Sequence, residues 1–467
     1  MIPTGEKYAI TVSVEIDEKS GNISKRRFFP SKIRPKVQLT YQQAQSILNG
    51  ETVTGEGIDQ DVVLSIQRLG RISKVLRTER LRELAFLRNN VDEDMPCSDA
   101  HYLVEEFMIM ANSFVAEHVM EHFPYCTLLR RQLPPKDHRM IEWKETHGDT
   151  AEESLLLSRE MEKYNSMGRI TDIEGSQHLR VIIIREIIWT EISQAAEDGD
   201  IQKLQMLVLF DDNHPQLAVA KGHYRRIQSH AVYVSSGQYQ DQPEMHGHFS
   251  LNIPAYTHFT SPIRRYADIV VHRLLVAAMT GSTCPYEQDE MEDLCAHLTQ
   301  RAWNSKAFDK RVSLIKMAFE IQKRPIVQQP FIESIDERRI RLNFPDCPDI
   351  PASNRTISMA HLQPDQQPTW IEGTVTFVWR PRIYDLSKFN PESYSLNRSL
   401  LPDDNAVKTC TYTKRISSST WKAMVDAIRK NNIGSLKQVV DHANQNEVHN
   451  DSEQKLLLEI SRVETSK

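Results

Sequence analysis

Between Tyr256 and Arg273 the chain reads YTHFTSPIRRYADIVVHR, and no other stretch restricts the possible fold as much. Ser261 followed by Pro262 spells a helix start, because a serine hydroxyl can cap free backbone N–H groups and proline at the first helical position gives up a donor that would be orphaned anyway. Arg264 and Arg265 then fall in the first turn, where the helix dipole is already positive and Asp or Glu is the usual occupant. Two fixed cations there predict an anion facing the helix tip. Ile263, Tyr266, Val270 and Leu274 follow at helical spacing as an apolar anchoring face, while Arg265, Asp268 and His272 line a second face that presents charge. The residues alone leave two readings open. Either Asp268 pairs with Arg264 or Arg265 one turn away and the arginines face water, or the arginines bind a phosphate.

The run H-F-T-S-P-I-R-R-Y-A-D followed by H-R closely resembles the signature of the RNB (ribonuclease II-like) exoribonuclease family. The resemblance implies a domain that degrades RNA from its 3′ end, with Arg264 in the role of the arginine that contacts phosphate near the scissile bond. By the same resemblance Arg265, Tyr256 and His258 are RNA-contacting candidates. A second match is the helix text VEEFMIMAN, similar to the family's V-E-E-x-M-x-x-A-N. There one glutamate of the pair helps position the terminal nucleotides, so Glu105 and Glu106 both stand as candidates. A third, KIRPKVQLTYQQAQSILNGE, follows a strand hairpin in mid-domain order. The extra region from Arg180 to Asp200, and the stretch HPQLAVAKGHYRRIQSHAVYV at His214 to Val234, are similar to the RNB segment of the helicase with zinc finger domain 2-like proteins.

A chain of 467 residues with 40% hydrophobic content can bury a large core, and its length suits about two to four domains. The net charge of −6 confines any nucleic-acid site to a local groove rather than a general basic coat. Six cysteines without a C-x-x-C pair predict reduced thiols in an intracellular compartment, cytoplasmic or nuclear, and no cysteine-built zinc site. No apolar run approaches the roughly 20 residues of a membrane span.

In chain order, Ile10, Val12, Val14 and Ile16 alternate as a half-buried strand, with Lys19-Ser20-Gly21-Asn22 as the turn of a hairpin. A short helix from Leu39-Thr40-Tyr41 to Asn49-Gly50 comes next. A longer one to about Leu87 carries Val62, Val63, Ile66, Leu69, Ile72 and Leu76. The helix from His101 to about His122 has Val104, Phe107 or Met108, Ala111, Val115 and Val119 as its buried stripe and Glu105 and Asn112 on a polar edge. Arg180 to Ala196 suits strand and helix equally. His246, His248 and His258 lie close together but without carboxylate or cysteine partners, so no metal site is read from them. After Pro325 strands prevail: Ile340, Leu342 and Phe344 alternate, as do Val375, Phe377 and Trp379, around a turn at Asp336-Glu337. Ser418 or Ser419 then caps a helix with Trp421, Met424, Val425 and Ile428 on one side.

The expected fold class is α+β. A partial RNB domain, a mixed sheet packed with helices, covers residues 1–325. By the family resemblance an oligonucleotide-binding, OB-like barrel module follows at 326–386, where Trp379, Arg380, Arg382 and Tyr384 suit RNA contact, core packing accounting equally well for Trp379. Residues 387–416 read as a linker with a short strand and 417–467 as a helical tail.

The family implies Mg²⁺ as cofactor and single-stranded RNA as partner, with several aspartates converging on the ion. They come from a compact D-x(5)-D-x-D-D-like motif upstream of the first matching segment. No such spacing occurs in this sequence. Asp92, Glu93, Asp94 and Asp99 read as an acidic solvent loop, Asp211-Asp212 and Asp403-Asp404 are isolated pairs, and Glu287 to Asp293 serves a helix dipole. Met1-Ile2-Pro3 resembles the family's M-L-P turn, so the expected partners include the missing N-terminal part of a longer polypeptide. The chain is expected to bind RNA and to be hydrolytically inactive alone, the alternative being a non-catalytic RNA-binding or scaffold protein.

Overall fold

Strands β1 (Lys7–Ile16) and β2 (Ile23–Ile33) form the expected antiparallel hairpin, turned at Gly21, whose φ of +72° is a conformation only glycine adopts freely. In a computed structural model of the chain the described residues are 5–55, 57–81, 98–167, 181–209, 215–323, 331–335, 338–343, 355–358, 369–371, 374–376 and 413–446. Asp92, Glu93, Asp94, Asp211, Asp212, Asp336, Glu337, Phe344, Phe377, Trp379, Arg380, Arg382, Tyr384, the 387–405 stretch, the Asp403-Asp404 pair and Met1 to Pro3 lie outside them.

Helix α1 (Tyr41–Leu48) opens on a reciprocal capping box between Thr40 and Gln43. Helix α2 (Gln60–Leu81) buries Val62 of the expected apolar stripe together with Gly70, Ser73, Arg77 and Leu81, while Val63, Ile66, Ile72 and Leu76 are half-buried and Leu69 is exposed. Gly70 is the reason: a Cβ there would lie 2.4 Å from Leu48 Cδ2, so the glycine face is the one that packs closely. In α3 (Ser98–His122) Val115 and Val119 of the expected stripe are buried, and the inward side widens to take polar residues as well. Val104 is exposed, while Glu106, Ile109, Asn112, Ser113, Val115, Ala116 and Val119 are buried. Of the expected polar edge, Asn112 turns inward, with Glu106 and Ser113 beside it, because these groups are hydrogen-bonded there, and Glu105 stays exposed.

Strand β3 (Leu128–Arg131) is followed by α4 (Asp137–Glu152) and α5 (Leu155–Asn165). The ambiguous apolar stretch is both things in turn: strand β4 (Val181–Arg185) runs directly into α6 (Glu186–Asp198). After α7 (Ile201–Leu204) and α8 (Pro215–Ile227), strand β5 (Val232–Ser235) pairs antiparallel with β3. Helices α9 (Tyr266–Thr280) and α10 (Gln288–Lys323) follow. Beyond them β6 (Phe331–Ile335), β7 (Arg339–Asn343) and β8 (Thr356–Ser358) make a three-stranded antiparallel sheet, and β9 (Thr369–Ile371) pairs with β10 (Thr374–Thr376). Strand β11 (Thr413–Ser417) pairs antiparallel with β4, and α12 (Ser418–Arg429) and α13 (Ile433–Asn446) complete the described chain. The cap of α12 is Ser417, one residue ahead of the expected serines, and Trp421, Met424, Val425 and Ile428 are buried as expected.

The chain divides into two compact units, residues 1–140 with 227–305 and residues 141–226 with 306–467. In the first, Val115 and Val119 of α3, Leu128 of β3, Tyr233 of β5, Val270, Val271, Leu274 and Leu275 of α9 and Met291 of α10 share one apolar core. In the second, Trp143, Tyr164 and Trp421 are fully buried, and the Trp143 indole donates to the Ala220 carbonyl at 3.0 Å. The fold is α+β, mixed helices with small sheets. No helix among the described residues is long and apolar enough to cross a membrane.

Candidate functional site

The signature stretch is held by α3. Asn112, fully buried, accepts the Phe259 N–H at 3.0 Å and the Thr260 N–H at 3.2 Å through Oδ1, and donates from Nδ2 to the Tyr256 hydroxyl at 3.0 Å. Ser113 donates to the Ala255 carbonyl, and Thr257 to the Leu128 carbonyl at 2.6 Å. The Arg130 N–H reaches the Tyr256 carbonyl at 2.7 Å, so residues 255–257 run beside β3. An extended segment without its own ladder needs such partners for its backbone groups. The polar residues of α3 supply them.

The helix that follows begins later than the sequence predicts. Helix α9 starts at Tyr266, with Arg265 in extended geometry at the cap position (φ −130°, ψ 121°) and no side-chain cap there. Ser261 instead offers its carbonyl to the Arg264 and Arg265 N–H groups, at 3.2 and 3.1 Å. The arginines therefore stand in a turn ahead of the helix, not in its first turn. Ile263 and Tyr266, expected on the apolar face, are 96% and 51% exposed, while Val270 and Leu274 are buried as expected. The charged face does not look outward either. Asp268 is fully buried, taking the Ser261 N–H at 2.6 Å and two hydrogen bonds from Arg265, Nε at 2.7 Å and Nη2 at 2.8 Å. His272 Nε2 lies 2.9 Å from the Phe259 carbonyl. The two arginines thus divide. Arg265 is a neutralised, positioned cation, and Arg264 is exposed with no side-chain partner among the described residues.

Tyr256, His258, Arg264 and Arg265 share one neighbourhood. The Tyr256 ring meets His248 and His258 edge to face, with centroids 5.6 and 5.8 Å away. His258 Nδ1 and the Tyr233 hydroxyl are 2.8 Å apart. The phenol is the natural donor, which puts the remaining imidazole proton on Nε2. Burial, with the fields of Arg265, Arg130, His248 and Arg264, lowers His258 to about 3, so it is neutral at physiological pH. Burial pushes the Tyr256 phenol up, partly opposed by the Asn112 hydrogen bond and Arg265 and reinforced by Asp268 and Glu105.

Glu105 and Glu106 separate cleanly. The Glu106 carboxylate is buried between Arg77, at 2.9 Å, and Arg80, which it meets through both oxygens. Arg80 also donates to the Leu251 carbonyl at 2.8 Å, and Asn252, in the left-handed region at φ 56°, donates to the Arg80 carbonyl at 2.8 Å. Glu105 has a side chain 46% exposed and a single contact of 3.3 Å to Arg77.

One residue beside this set carried no functional expectation. Arg130 lies over the Tyr233 ring at 4.6 Å, and its Nη1 is buried without a hydrogen-bond partner. Burial lowers its pKa, with the field of Arg265 adding to that effect and those of Tyr233 and Tyr256 opposing it. Consecutive arginines in a short buried strand were the available signal, since charge in such a strand needs a reason. Arg131, on the opposite face, stacks on Tyr239 at 4.1 Å.

An acidic metal cradle is not among these features. Asp268 is consumed by Arg265 and Ser261, and among the described residues the metal-competent cluster of His, Cys, Asp and Glu is His118, Glu121 and His122 on α3. A set of converging aspartates for Mg²⁺ does not fit the described residues.

Comparison with known proteins gives three results. The profile of the RNB domain matches residues 1–281. The human 3′-5′ exoribonuclease HELZ2 is 25% identical over 443 residues, covering 92% of this chain and 14% of that protein. The fission yeast DIS3-like exonuclease 2 is 28% identical over 321 residues, covering 64% of this chain and 30% of that protein. The chain thus spans well under half the length of these relatives. Among solved structures, yeast Ssd1, a pseudonuclease, superposes with a TM-score of 0.56 at 17% identity over 99% of this chain and 50% of that one. Mycoplasma genitalium RNase R in complex with ribose methylated single-stranded RNA gives 0.54 at 18% identity over 80% and 53%. At these identities the structural likeness speaks to the fold.

Proposed function

Because the chain belongs to the RNB domain family, we propose that it grips the sugar-phosphate backbone of single-stranded RNA at the Arg264 turn, as part of 3′-to-5′ exoribonuclease-type processing, and that alone it does not hydrolyse RNA. The observation that carries the binding reading is the division between the arginines. Arg265 is bound by Asp268, and this fixes the turn that presents Arg264 to solvent with its guanidinium uncommitted among the described residues. A guanidinium held in that way offers paired N–H donors to a phosphate at little ordering cost. His258, neutral, adds a hydrogen-bonding group that does not depend on pH in the physiological range. Arg130 adds a further, half-buried cation whose buried Nη1 is an open donor.

The donor set supports the reading of inactivity. Mg²⁺-assisted attack on a phosphodiester needs hard oxygen ligands brought together, and neither the sequence spacing nor the described carboxylates gather them. Glu106, which could be imagined as one, is fully engaged by Arg77 and Arg80. The likeness of HELZ2 and DIS3-like relatives, which are exoribonucleases, supports the class of chemistry, and the reading of Arg264 as the phosphate contact near the scissile bond rests on the matching motif.

The test uses the purified chain with a 3′-tailed, fluorescently labelled single-stranded RNA and Mg²⁺. Binding by anisotropy that weakens with salt, weakens further in Arg264→Ala and leaves the RNA at full length is the expected result. Processive shortening would overturn the inactivity, and binding indifferent to Arg264→Ala would overturn the assigned contact.

A further inference from the structure

The last two turns of α3 carry His118-Val119-Met120-Glu121-His122. Positions three and four apart on a helix are neighbours, so Glu121 and His122 both come up beside His118. Their rings lie 4.5 Å apart, and His118 Nδ1 lies 3.9 Å from Glu121 Oε2. One donor atom from each of the three falls within 4.8 Å of the others. Tetrahedral zinc, with bonds of about 2.0–2.2 Å, sets its ligands about 3.4 Å apart. Small rotations of the exposed Glu121 and His122 side chains close that difference.

From these contacts we infer that His118, Glu121 and His122 form a binding site for a divalent transition-metal ion of the Zn²⁺ class. Three further observations favour it. The His122 Nδ1 lies 2.9 Å from the His118 carbonyl. Donation to that carbonyl fixes the tautomer with the proton on Nδ1, so the Nε2 lone pair is free to ligate. The His118 ring is stacked on Phe28 of β2, with centroids 4.4 Å apart and planes 20° apart, so one ligand is already ordered before any ion arrives. The cluster also sits at the helix C-terminus, where the exposed carbonyls favour positive charge.

Among the described residues Arg26 on β2 is a cation near His118, and its charge is taken up by an ion pair with Glu117 while its guanidinium lies over the Phe114 ring at 4.9 Å. Two nitrogens and one carboxylate oxygen suit Zn²⁺, Ni²⁺, Co²⁺ or Cu²⁺ and are poor ligands for Mg²⁺. Because Phe28 rests on His118, an ion there would tie the end of α3 to the β1–β2 hairpin.

The test titrates the full chain, free of tags that bind metal, with Zn²⁺ by calorimetry, and with Co²⁺ followed by visible absorption. One high-affinity equivalent is expected, lost or weakened about tenfold or more in His122→Ala and weakened in Glu121→Gln. Neither side chain is packed in the core, so both variants should melt like the parent without metal. Zn²⁺ should raise the Tm of the parent but not of His122→Ala. Unchanged Zn²⁺ binding in His122→Ala, no binding by the parent, or displacement of the ion by equimolar Mg²⁺ would each overturn the site. The measurement contains no RNA, so its failure leaves the RNA-binding reading untouched.

Discussion

Asp268 holds Arg265 with both carboxylate oxygens, at 2.7 and 2.8 Å, from a position with no solvent exposure, and one of those oxygens also takes the Ser261 N–H at 2.6 Å. That bidentate pair folds the turn between residues 261 and 265 back onto α9. Removing the acid leaves a partly buried guanidinium and a buried N–H without partners. Asp268→Ala is therefore expected to cost about 3–5 kcal/mol, read from urea unfolding of the parent and the variant. A loss under about 1 kcal/mol would mean that the turn is held by something else.

Arg264 should behave in the opposite way. Its side chain contributes no contact among the described residues, so Arg264→Ala should leave stability within about 0.5 kcal/mol. It should weaken RNA binding roughly uniformly across sequences and lower the slope of log affinity against log salt by about 0.7 for a single strand. Arg264→Lys should restore the salt slope without restoring full affinity, because a point charge replaces a fork of donors. Anisotropy at several salt concentrations separates the two effects.

Glu105 and Glu106 are predicted to differ sharply. Glu106→Gln puts a neutral amide between the buried Arg77 and the largely buried Arg80 and should destabilise by several kcal/mol, on the order of 3. Glu105→Gln touches one contact of a half-exposed side chain and should cost about 0.5 kcal/mol or less. If RNA affinity responds to Glu105→Gln while stability does not, the exposed acid is the one that meets the RNA. Equal destabilisation by both would contradict the burial difference.

Asn112 satisfies two backbone N–H groups and one phenol at once. Asn112→Ala strands those groups in a buried setting, at about 1–3 kcal/mol each where no water replaces the amide. A loss of about 2–4 kcal/mol is expected, with faster hydrogen exchange at Phe259 and Thr260. Unchanged exchange at those two amides would show that Asn112 does not hold the segment.

His258 makes the fold acid-sensitive. Its folded pKa, about 3, lies below its ordinary value of 6.5, so the unfolded chain takes up the proton first. The stabilisation is complete above about pH 6.5 and is lost as pH falls from there toward 3, at up to about 1.4 kcal/mol per pH unit. His258→Gln should flatten that part of the pH profile, and RNA affinity between pH 7 and 8 should not follow the residue at all. A variant with the parent's acid slope would remove His258 as its source.

Much of this chain could be read in one dimension. The β1–β2 hairpin follows from alternation around Lys19 to Asn22, α1 from its capping pair, and α12 from Trp421, Met424, Val425 and Ile428, because these signals are local and each is complete within a few residues. Spacing also brought Arg265 and Asp268 within reach of one another. What it could not supply was the polar part of the side that turns inward on α2 and α3. On α2 and α3 the buried faces carry Gly70, Ser73, Arg77, Glu106 and Asn112, since polar groups can be buried where partners from distant segments meet them, and those partners are set by the fold rather than by neighbours in sequence.

The sequence by itself determined the family, through the signature from His258 to Arg273, and the types of residue from which a phosphate contact could be made. Only the tertiary structure decided that Arg264 faces solvent while Arg265 is spent on Asp268, that Glu106 is locked and Glu105 is not, and that Arg130 stands over Tyr233 with a donor to spare. The physical reason is that a charge's availability depends on what surrounds it in three dimensions, and its neighbours here come from other elements as well as its own: Arg77 and Arg80 of α2 for the glutamates of α3, Tyr233 of β5 for Arg130 of β3.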